Sequence, residues 1–537
     1  MNTRTKRLGV AIALLLSLSS LPCPAAEQYK KISRDSIAAI VDGDYDKAIR
    51  RSENYLAKDP NDLESLYVLA VAHTQKGQIG KALSCAKEAV DGGFAFSRFQ
   101  AGPRELLEPL YATDEFRGLA KKHGNMLLHG PMVGNVTDTA ASFWVRTADE
   151  VPVRVRVTPL GPEATGTRTV SANTEAEKDY TAVIEIDGLT ANSPYEYEVS
   201  AEGESHNRRG RFRTFPTQGR PAEFTIGFGG GAGYTPPHER MWDTIGSRNL
   251  TAFLFLGDNV YIDHPTRPAV QRYCYYRRQS RPEYRRFVAN TPIFAIWDDH
   301  DFGDDDSWGG PKIDEPAWKI PVWRTFRNNW ANPYYGGGRS QPGCWFDFSI
   351  ADVDFFMLDS RYYRMKNQRH GVDVENPSML GEAQKKWLLD KLRDAKGTFK
   401  VIASQVPWSF GAKPGIGGMD TWEGYKQERE DIFSFIEQHD IEGVLLISAD
   451  RHRSDVWRID RPDGYPLYEF ESSRLTNIHR HGIMPGAIFG YNDDCSFGTL
   501  TFDTTRDDPR VTYRIVNIDN ELVYAFVVER SQLTADK

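Results

Sequence analysis

The stretch AFLFLGDNVY, residues 252–261, carries the pattern that decides the fold. A short apolar run ends abruptly in polar residues, as expected of a strand that is buried on both faces and leads into a loop. The same pattern recurs in IFAIWDDHD at 293–301, VDFFMLDSR at 353–361 and VLLISADRH at 444–452. Such strands alternate with helical stretches from Phe224 onward, which predicts an α/β domain that we place at 221–530.

The polar residues that follow these strands are the candidate functional residues. In an α/β sheet, ligands collect at the carboxyl ends of strands because the loops converge there. Asp258 and Tyr261 lie three apart across a turn, and Asp450 and His452 lie two apart on an extended segment, so each pair is able to bind one cation. A single strand-end aspartate is more often a cap or turn residue. Taken together, however, the polar residues at the ends of these strands predict a site for manganese, iron, zinc or calcium.

The four motifs resemble those of a known family, the PhoD-like alkaline phosphatases within the calcineurin-like metallophosphoesterases. The matching segments are GDNVY at 257–261, WDDHD at 297–301, LDSR at 358–361 and SADRH at 448–452. Their order and spacing fit the family over about 220–530. The resemblance implies an α+β multidomain chain whose catalytic part is a four-layer metallophosphatase β-sandwich flanked by helices.

The same resemblance implies a set of metal ligands. Carried over by position, the ligands of ferric iron are Asp258, Tyr261, Asp450 and His452. Asp258 and Asp299 would lie near a second metal, often calcium in the family.

The resemblance also implies residues for catalysis, among them Asp299 beside the second metal. His300 is the candidate proton donor to the leaving alkoxide. Arg361 is a candidate for holding non-bridging phosphate oxygens through its planar fork, and a structural ion pair is the alternative for it.

One position departs from the family pattern. The family commonly has a cysteine ligand at the end of the first strand, where this chain has Gly231. A glycine cannot ligate through a side chain, so zinc, manganese or magnesium stay open beside iron and calcium. The cysteines Cys274, Cys344 and Cys495 leave a disulfide in this domain open.

Residues 1–26 have the pattern of a secretory signal peptide. Three basic residues precede an apolar run that ends near Leu21, and small residues follow at Ala25 and Ala26. The run is too short for a membrane span. The pattern predicts a secreted or periplasmic protein with no transmembrane span in the mature chain.

Two further units are predicted before the catalytic domain. Residues 30–125 are helical, with small residues spaced as in a tetratricopeptide (TPR) repeat; either a packing role or a groove for a protein partner is open for them. Residues 128–216 alternate apolar and polar side chains, which indicates a small β-sandwich of the fibronectin type III or immunoglobulin kind.

Composition argues against nucleic acid as the partner. The chain of 537 residues has 66 Lys and Arg against 74 Asp and Glu, a net charge of -8, so it lacks the basic surplus that binds nucleic acid.

The motifs, the family resemblance and the signal-peptide pattern together predict an exported metal-dependent phosphatase that hydrolyses phosphomonoesters, phosphodiesters or both by metal-activated hydroxide. The alternatives are a phosphodiesterase of cell-envelope polymers or phospholipids and a non-catalytic, metal-containing surface-binding protein.

Overall fold

The computed structural model describes residues 24–162, 164, 166–204 and 206–535. The predicted signal peptide lies outside these residues except for 24–26, which begin the first helix. Within this described part, no helix combines the length and the apolar character needed to cross a membrane.

Residues 24–123 form a run of helices. They are α1 (Pro24–Val41), α2 (Tyr45–Leu56), α3 (Leu63–Gln75), α4 (Ile79–Asp91), α5 (Phe96–Ala101), α6 (Arg104–Tyr111) and α7 (Asp114–His123). The helices α2, α3 and α4 approach closely because buried residues between them are small. These small residues are Ala48, Ala70, Ala82, Ala86 and Ala89. The TPR-like interpretation stays a prediction.

A set of strands follows. They are β1 (Leu127–Gly134), β2 (Ala141–Thr147), β3 (Pro152–Pro159), β4 (Arg168–Asn173), β5 (Thr181–Ile186), β6 (Pro194–Ala201) and β7 (Arg208–Arg213). Strands β4-β3-β6-β7 form one sheet, which packs on the sheet that contains β1, β2 and β5. Phe143 of β2 lies 4.6 Å from Tyr197 of β6, measured between ring centroids. The fibronectin-like or immunoglobulin-like interpretation of this region stays a prediction.

The remaining strands build two large sheets. They are β8 (Glu223–Gly229), β9 (Ala252–Leu256), β10 (Ile293–Ile296), β11 (Phe346–Ile350), β12 (Val353–Met357), β13 (Phe399–Ala403), β14 (Val444–Ser448), β15 (Ser454–Ile459), β16 (Leu467–Ser472), β17 (Phe489–Tyr491), β18 (Ser496–Asp503), β19 (Arg510–Asn517) and β20 (Leu522–Glu529). The helices among them are α8 (Met241–Gly246), α9 (Pro268–Gln279), α10 (Pro282–Val288), α11 (Asp299–Phe302), α12 (Lys319–Arg327), α13 (Gly381–Asp394) and α14 (Lys426–Gln438).

The two sheets pack face to face. Their strand orders are β20-β19-β18-β8-β9-β10-β1-β2-β5 and β11-β12-β13-β14-β16-β15-β17. Phe294 of β10 stacks on Phe348 of β11 with ring centroids 4.0 Å apart. Helices cover the outer faces: Trp242 of α8 contacts β9, and Trp387 of α13 contacts β12. The chain is therefore a mixed α/β multidomain protein built around large sheets.

The smaller strand region joins the larger sheet directly. The sequence predicts two separate units here, whereas β1 pairs in parallel with β10 through Gly134 and Ile293. A Cβ atom at position 134 would lie 2.5 Å from the carbonyl oxygen of Ala331. Only glycine permits this close approach. The two regions share a continuous sheet.

The strand tips meet because neighbouring strands run in parallel. Strands β8, β9 and β10 are parallel in the first sheet, and β12, β13, β14 and β16 are parallel in the second. Their carboxyl ends therefore deliver the loops that carry the predicted site residues to one edge of the sandwich.

Candidate metal centre and active site

The loop after β9 is held in an uncommon backbone conformation. Asp258 and Tyr261 have φ angles of 56° and 52°, in the left-handed region that non-glycine residues rarely adopt. The carboxylate of Asp301 accepts the backbone N–H groups of Asn259 at 2.8 Å and Val260 at 3.0 Å. Burial raises the pKa of Asp301 to about 6. Asp301 thus shapes the loop that presents Asp258 and Tyr261.

Asp258 is buried, and among the described residues neither of its carboxylate oxygens has a hydrogen-bond partner. Burial raises the pKa of Asp258 well above its usual value; His300 opposes this, and the charges of Asp299 and Asp298 add to it. A buried carboxylate without donors is costly. A cation bound there would remove that cost, so Asp258 fits the role of a metal ligand.

The first turn after β10 supplies two more of the predicted residues, Asp299 and His300. Asp299 accepts the backbone N–H of Asp306 at 2.7 Å, which fixes its side chain at the start of α11. One ligand atom from each of Asp258, Asp299 and His300 lies within 4.8 Å of the others. The structure therefore brings these three predicted residues together.

His300 is oriented by two neighbours. Its ring stacks on that of Tyr261, with centroids 4.6 Å apart, and its Nδ1 is hydrogen-bonded to the carboxylate of Asp263. Burial lowers the pKa of His300, but the charges of Asp299, Asp258 and Asp263 outweigh burial and raise it well above its usual value. The strand-end pattern does not predict Asp263, because this residue follows no strand directly.

The Tyr261 hydroxyl lies beside the loop after β14. It is 3.1 Å from Nε2 of His452 and accepts a hydrogen bond from Nδ2 of Asn477 at 2.6 Å. Burial raises the pKa of Tyr261 well above its usual value, and the charge of Asp258 adds to this. The structure thus brings Tyr261 and His452, both predicted from the sequence, into contact. The strand-end pattern does not predict Asn477, because this residue follows no strand directly.

Asp450 has a more basic environment. Its Oδ2 is 3.2 Å from Nη1 of Arg451. Burial raises the pKa of Asp450, but Arg451 and Lys413 outweigh burial and lower it below its usual value. Among the described residues, Asp450 belongs to no group of three or more acids and imidazoles whose ligand atoms lie within 4.8 Å of one another.

A group of histidines adjoins the site. The ligand nitrogens of His452, His479 and His481 lie within 4.8 Å of one another, and the rings of His452 and His481 stack at 4.9 Å. The sequence signal for this group is the pair of histidines two apart in TNIHRHG, residues 476–482, which lies outside the four strand-end motifs. They extend the nitrogen donors available beside Tyr261.

Arg361 is fully buried, and its guanidinium is engaged within the protein. It donates to Asp298 at 2.5 Å and to Asp420 at 2.8 Å, and Asp420 also pairs with Arg364. Of the two roles left open by the sequence, this geometry favours the structural ion pair. Hydrogen bonds from N–H donors likewise surround Asp359.

The glycine loop after β8 packs tightly against its neighbours. Gly231 has a φ of +72°, and a Cβ there would lie 2.8 Å from Oγ of Ser473. Position 231 therefore offers no side-chain ligand and little room for one. The thiols of Cys274, Cys344 and Cys495 are buried and unpaired, so no disulfide joins them.

The architecture and the site together define a class of protein. A solved structure titled "Structure of PhoD" superposes with a TM-score of 0.62 at 18% identity and covers 75% of this chain and 90% of that one. A purple acid phosphatase from yellow lupin (Lupinus luteus) seeds superposes with a TM-score of 0.52 at 11% identity, covering 75% of each chain. The chain thus has a metallophosphatase-like fold.

Sequence comparison then gives the family. Residues 226–486 match the model of the PhoD-like phosphatases, and residues 124–219 match one described as a domain of unknown function (DUF7800). Alkaline phosphatase D of Bacillus subtilis (strain 168) is 24% identical over 314 residues. That match spans 50% of this chain and 53% of the relative, about half of its length. Residues 226–486 therefore belong to the PhoD-like phosphatase family, as the sequence motifs predict.

Proposed function

We propose that this protein is an exported, metal-dependent hydrolase of phosphomonoesters, phosphodiesters or both. One observation carries the proposal: Asp258 is a buried carboxylate with no hydrogen-bond partner among the described residues, and it lies next to Asp299 and His300. The family match of the surrounding residues supports hydrolysis as the reaction. Export rests on the predicted signal peptide at residues 1–26.

The donor set suits hard or borderline metal ions. Asp258, Asp299, Tyr261, His452 and Asp450 would supply oxygen and nitrogen, and Gly231 leaves no thiolate. Iron and calcium, the metals that the resemblance implies, fit these donors, and so do zinc and manganese. When bound, such ions would activate a water and neutralise charge on the phosphoryl group.

A side chain of this protein would supply the proton that the leaving group needs. Because Nδ1 of His300 is hydrogen-bonded to Asp263, Nε2 is the atom that would donate a proton to the leaving oxygen. The carboxylate of Asp263, hydrogen-bonded to Nδ1, favours the protonated imidazole that this step needs. Arg361 contributes from inside the protein by holding Asp298.

Metal-restored hydrolysis tests the proposal. We expect the chelated, metal-free protein to be inactive on a panel of phosphomonoesters and phosphodiesters, and we expect iron, calcium, zinc or manganese, alone or in pairs, to restore turnover. Metal content is measured on the same samples. Full metal content without turnover of any ester would favour a metal-containing binding protein instead.

The spectrum of the iron-loaded protein tests the assignment of Tyr261. We expect a visible charge-transfer band from a coordinated phenolate, and we expect Tyr261→Phe to lose it while Tyr275→Phe, at another buried tyrosine, keeps it. Colourless wild-type protein with full iron content, or a band that survives Tyr261→Phe, would contradict this role.

A further inference from the structure

The helical segment at residues 24–123 contacts the loop that leads away from the candidate site. The carboxylate of Asp42 accepts hydrogen bonds from Nε and Nη2 of Arg267 at 2.8 and 2.9 Å. The hydroxyl of Ser33 accepts a hydrogen bond from Nη1 of Arg277 at 2.9 Å. These contacts fasten α1 to the loop and helix that follow β9.

Arg34 of α1 reaches furthest toward the site. Its Nη1 donates to the backbone carbonyl of Tyr261 at 3.0 Å and pairs with Oδ2 of Asp263. Only 5% of the Arg34 side chain is exposed, so these contacts are shielded from water and weakly screened by salt.

The two carboxylate oxygens of Asp263 have different partners. Oδ2 pairs with Arg34, and Oδ1 is hydrogen-bonded to Nδ1 of His300. Arg34, Asp263 and His300 therefore form a relay of charge-assisted hydrogen bonds. Without Arg34, Oδ2 would lose this charged partner, and the torsion that sets Asp263 against His300 would be less constrained.

We propose that Arg34 is a positioning residue for phosphoester hydrolysis, because it fixes Asp263 and thereby the orientation of the proton-donating His300. The proposal deepens the proposed function and rests on it. It places a working part of the site outside residues 226–486, the region that matches the family model. It also gives the helical segment a task other than binding a partner.

The test compares an alkyl phosphate, whose leaving group needs a proton, with 4-nitrophenyl phosphate, whose leaving group scarcely does. For Arg34→Ala we expect kcat on the alkyl ester to fall by about 10–100-fold, the range found when an orienting partner is lost. On the nitrophenyl ester we expect little change. Arg34→Lys, which keeps the charge, should recover part of the loss, as should added guanidinium with Arg34→Ala.

Arg267→Ala is the matched control, because it breaks an ion pair in the same interface without contacting Asp263. It should leave the ratio of the two rates unchanged. A loss in Arg34→Ala that is equal for both esters, or a ratio like that of Arg267→Ala, would overturn the proposal. Should Arg34→Ala fail to fold, Arg34→Gln carries the same test.

His300→Asn separates failure of this proposal from failure of the proton-donor assignment in the proposed function, whereas the absence of metal-restored turnover in the wild type would mark failure of the proposed function itself. We expect it to slow the alkyl ester by about 10²–10⁴-fold and the nitrophenyl ester far less. If His300→Asn alone discriminates between the esters, the acid stands and the role of Arg34 is wrong. If His300→Asn slows both equally, the acid assignment fails and the role of Arg34 fails with it.

Discussion

The Asp258→Asn variant is expected to lose phosphoester hydrolysis to the background of the assay and to retain less metal. In the metal-free state, the same variant should be more stable than the wild type. Both effects have one cause: the carboxylate of Asp258 is buried without hydrogen-bond partners among the described residues, so its charge is costly without a cation and useful with one. Turnover, metal content and thermal unfolding with and without chelator measure this.

The sign of the stability change follows from the raised pKa of Asp258. A group whose pKa is higher in the folded state contributes stability below its unfolded pKa, and this contribution is lost as the pH rises through the folded value. At neutral pH the metal-free wild type has lost much of this stability contribution. Asparagine does not ionise, so the Asp258→Asn variant does not lose stability in this way.

Asp301→Asn is the matched contrast, since it makes the same substitution on a carboxylate that accepts the N–H groups of Asn259 and Val260. It should lower the free energy of unfolding by about 1–3 kcal/mol even without metal, because buried donors lose their acceptor. Near-wild-type turnover of Asp258→Asn with full metal content would show that Asp258 is not a ligand.

The Arg361→Met variant is expected to lower the free energy of unfolding by about 3–5 kcal/mol, because it leaves the buried Asp298 and Asp420 without this partner. Activity should fall along with the folded fraction. Arg369→Met is the control: the Arg369 side chain is one-third exposed, and its partner Asp306 also pairs with Lys413, so the cost should be about 1 kcal/mol or less. Urea unfolding measures both.

The same experiment decides between the two roles that the sequence left open for Arg361. If Arg361 holds substrate phosphate, the methionine variant would keep its stability and lose affinity for phosphoesters. Unchanged unfolding together with a raised KM would therefore overturn the structural role that the buried geometry favours.

Much of the region at residues 226–486 could be predicted because its signals are local. The strands β9, β10 and β14 coincide with the apolar runs that begin the stretches 252–261, 293–301 and 444–452. Each is a continuous apolar run ended by polar residues, as burial on both faces requires. The antiparallel strands β18 and β19 gave no such signal, since polar residues are interspersed along both and no motif follows them.

The sequence by itself indicated the PhoD-like family and predicted that Asp258, Asp299 and His300 would lie close together, because parallel strands bring residues after their ends to one edge. Only the tertiary structure decided which partners these residues have. Arg34 contacts Tyr261 across 227 positions of the chain, and Arg361 pairs with Asp298 and Asp420 across 63 and 59 positions. Such pairings depend on burial and on long-range packing, which leave no periodic pattern in the sequence.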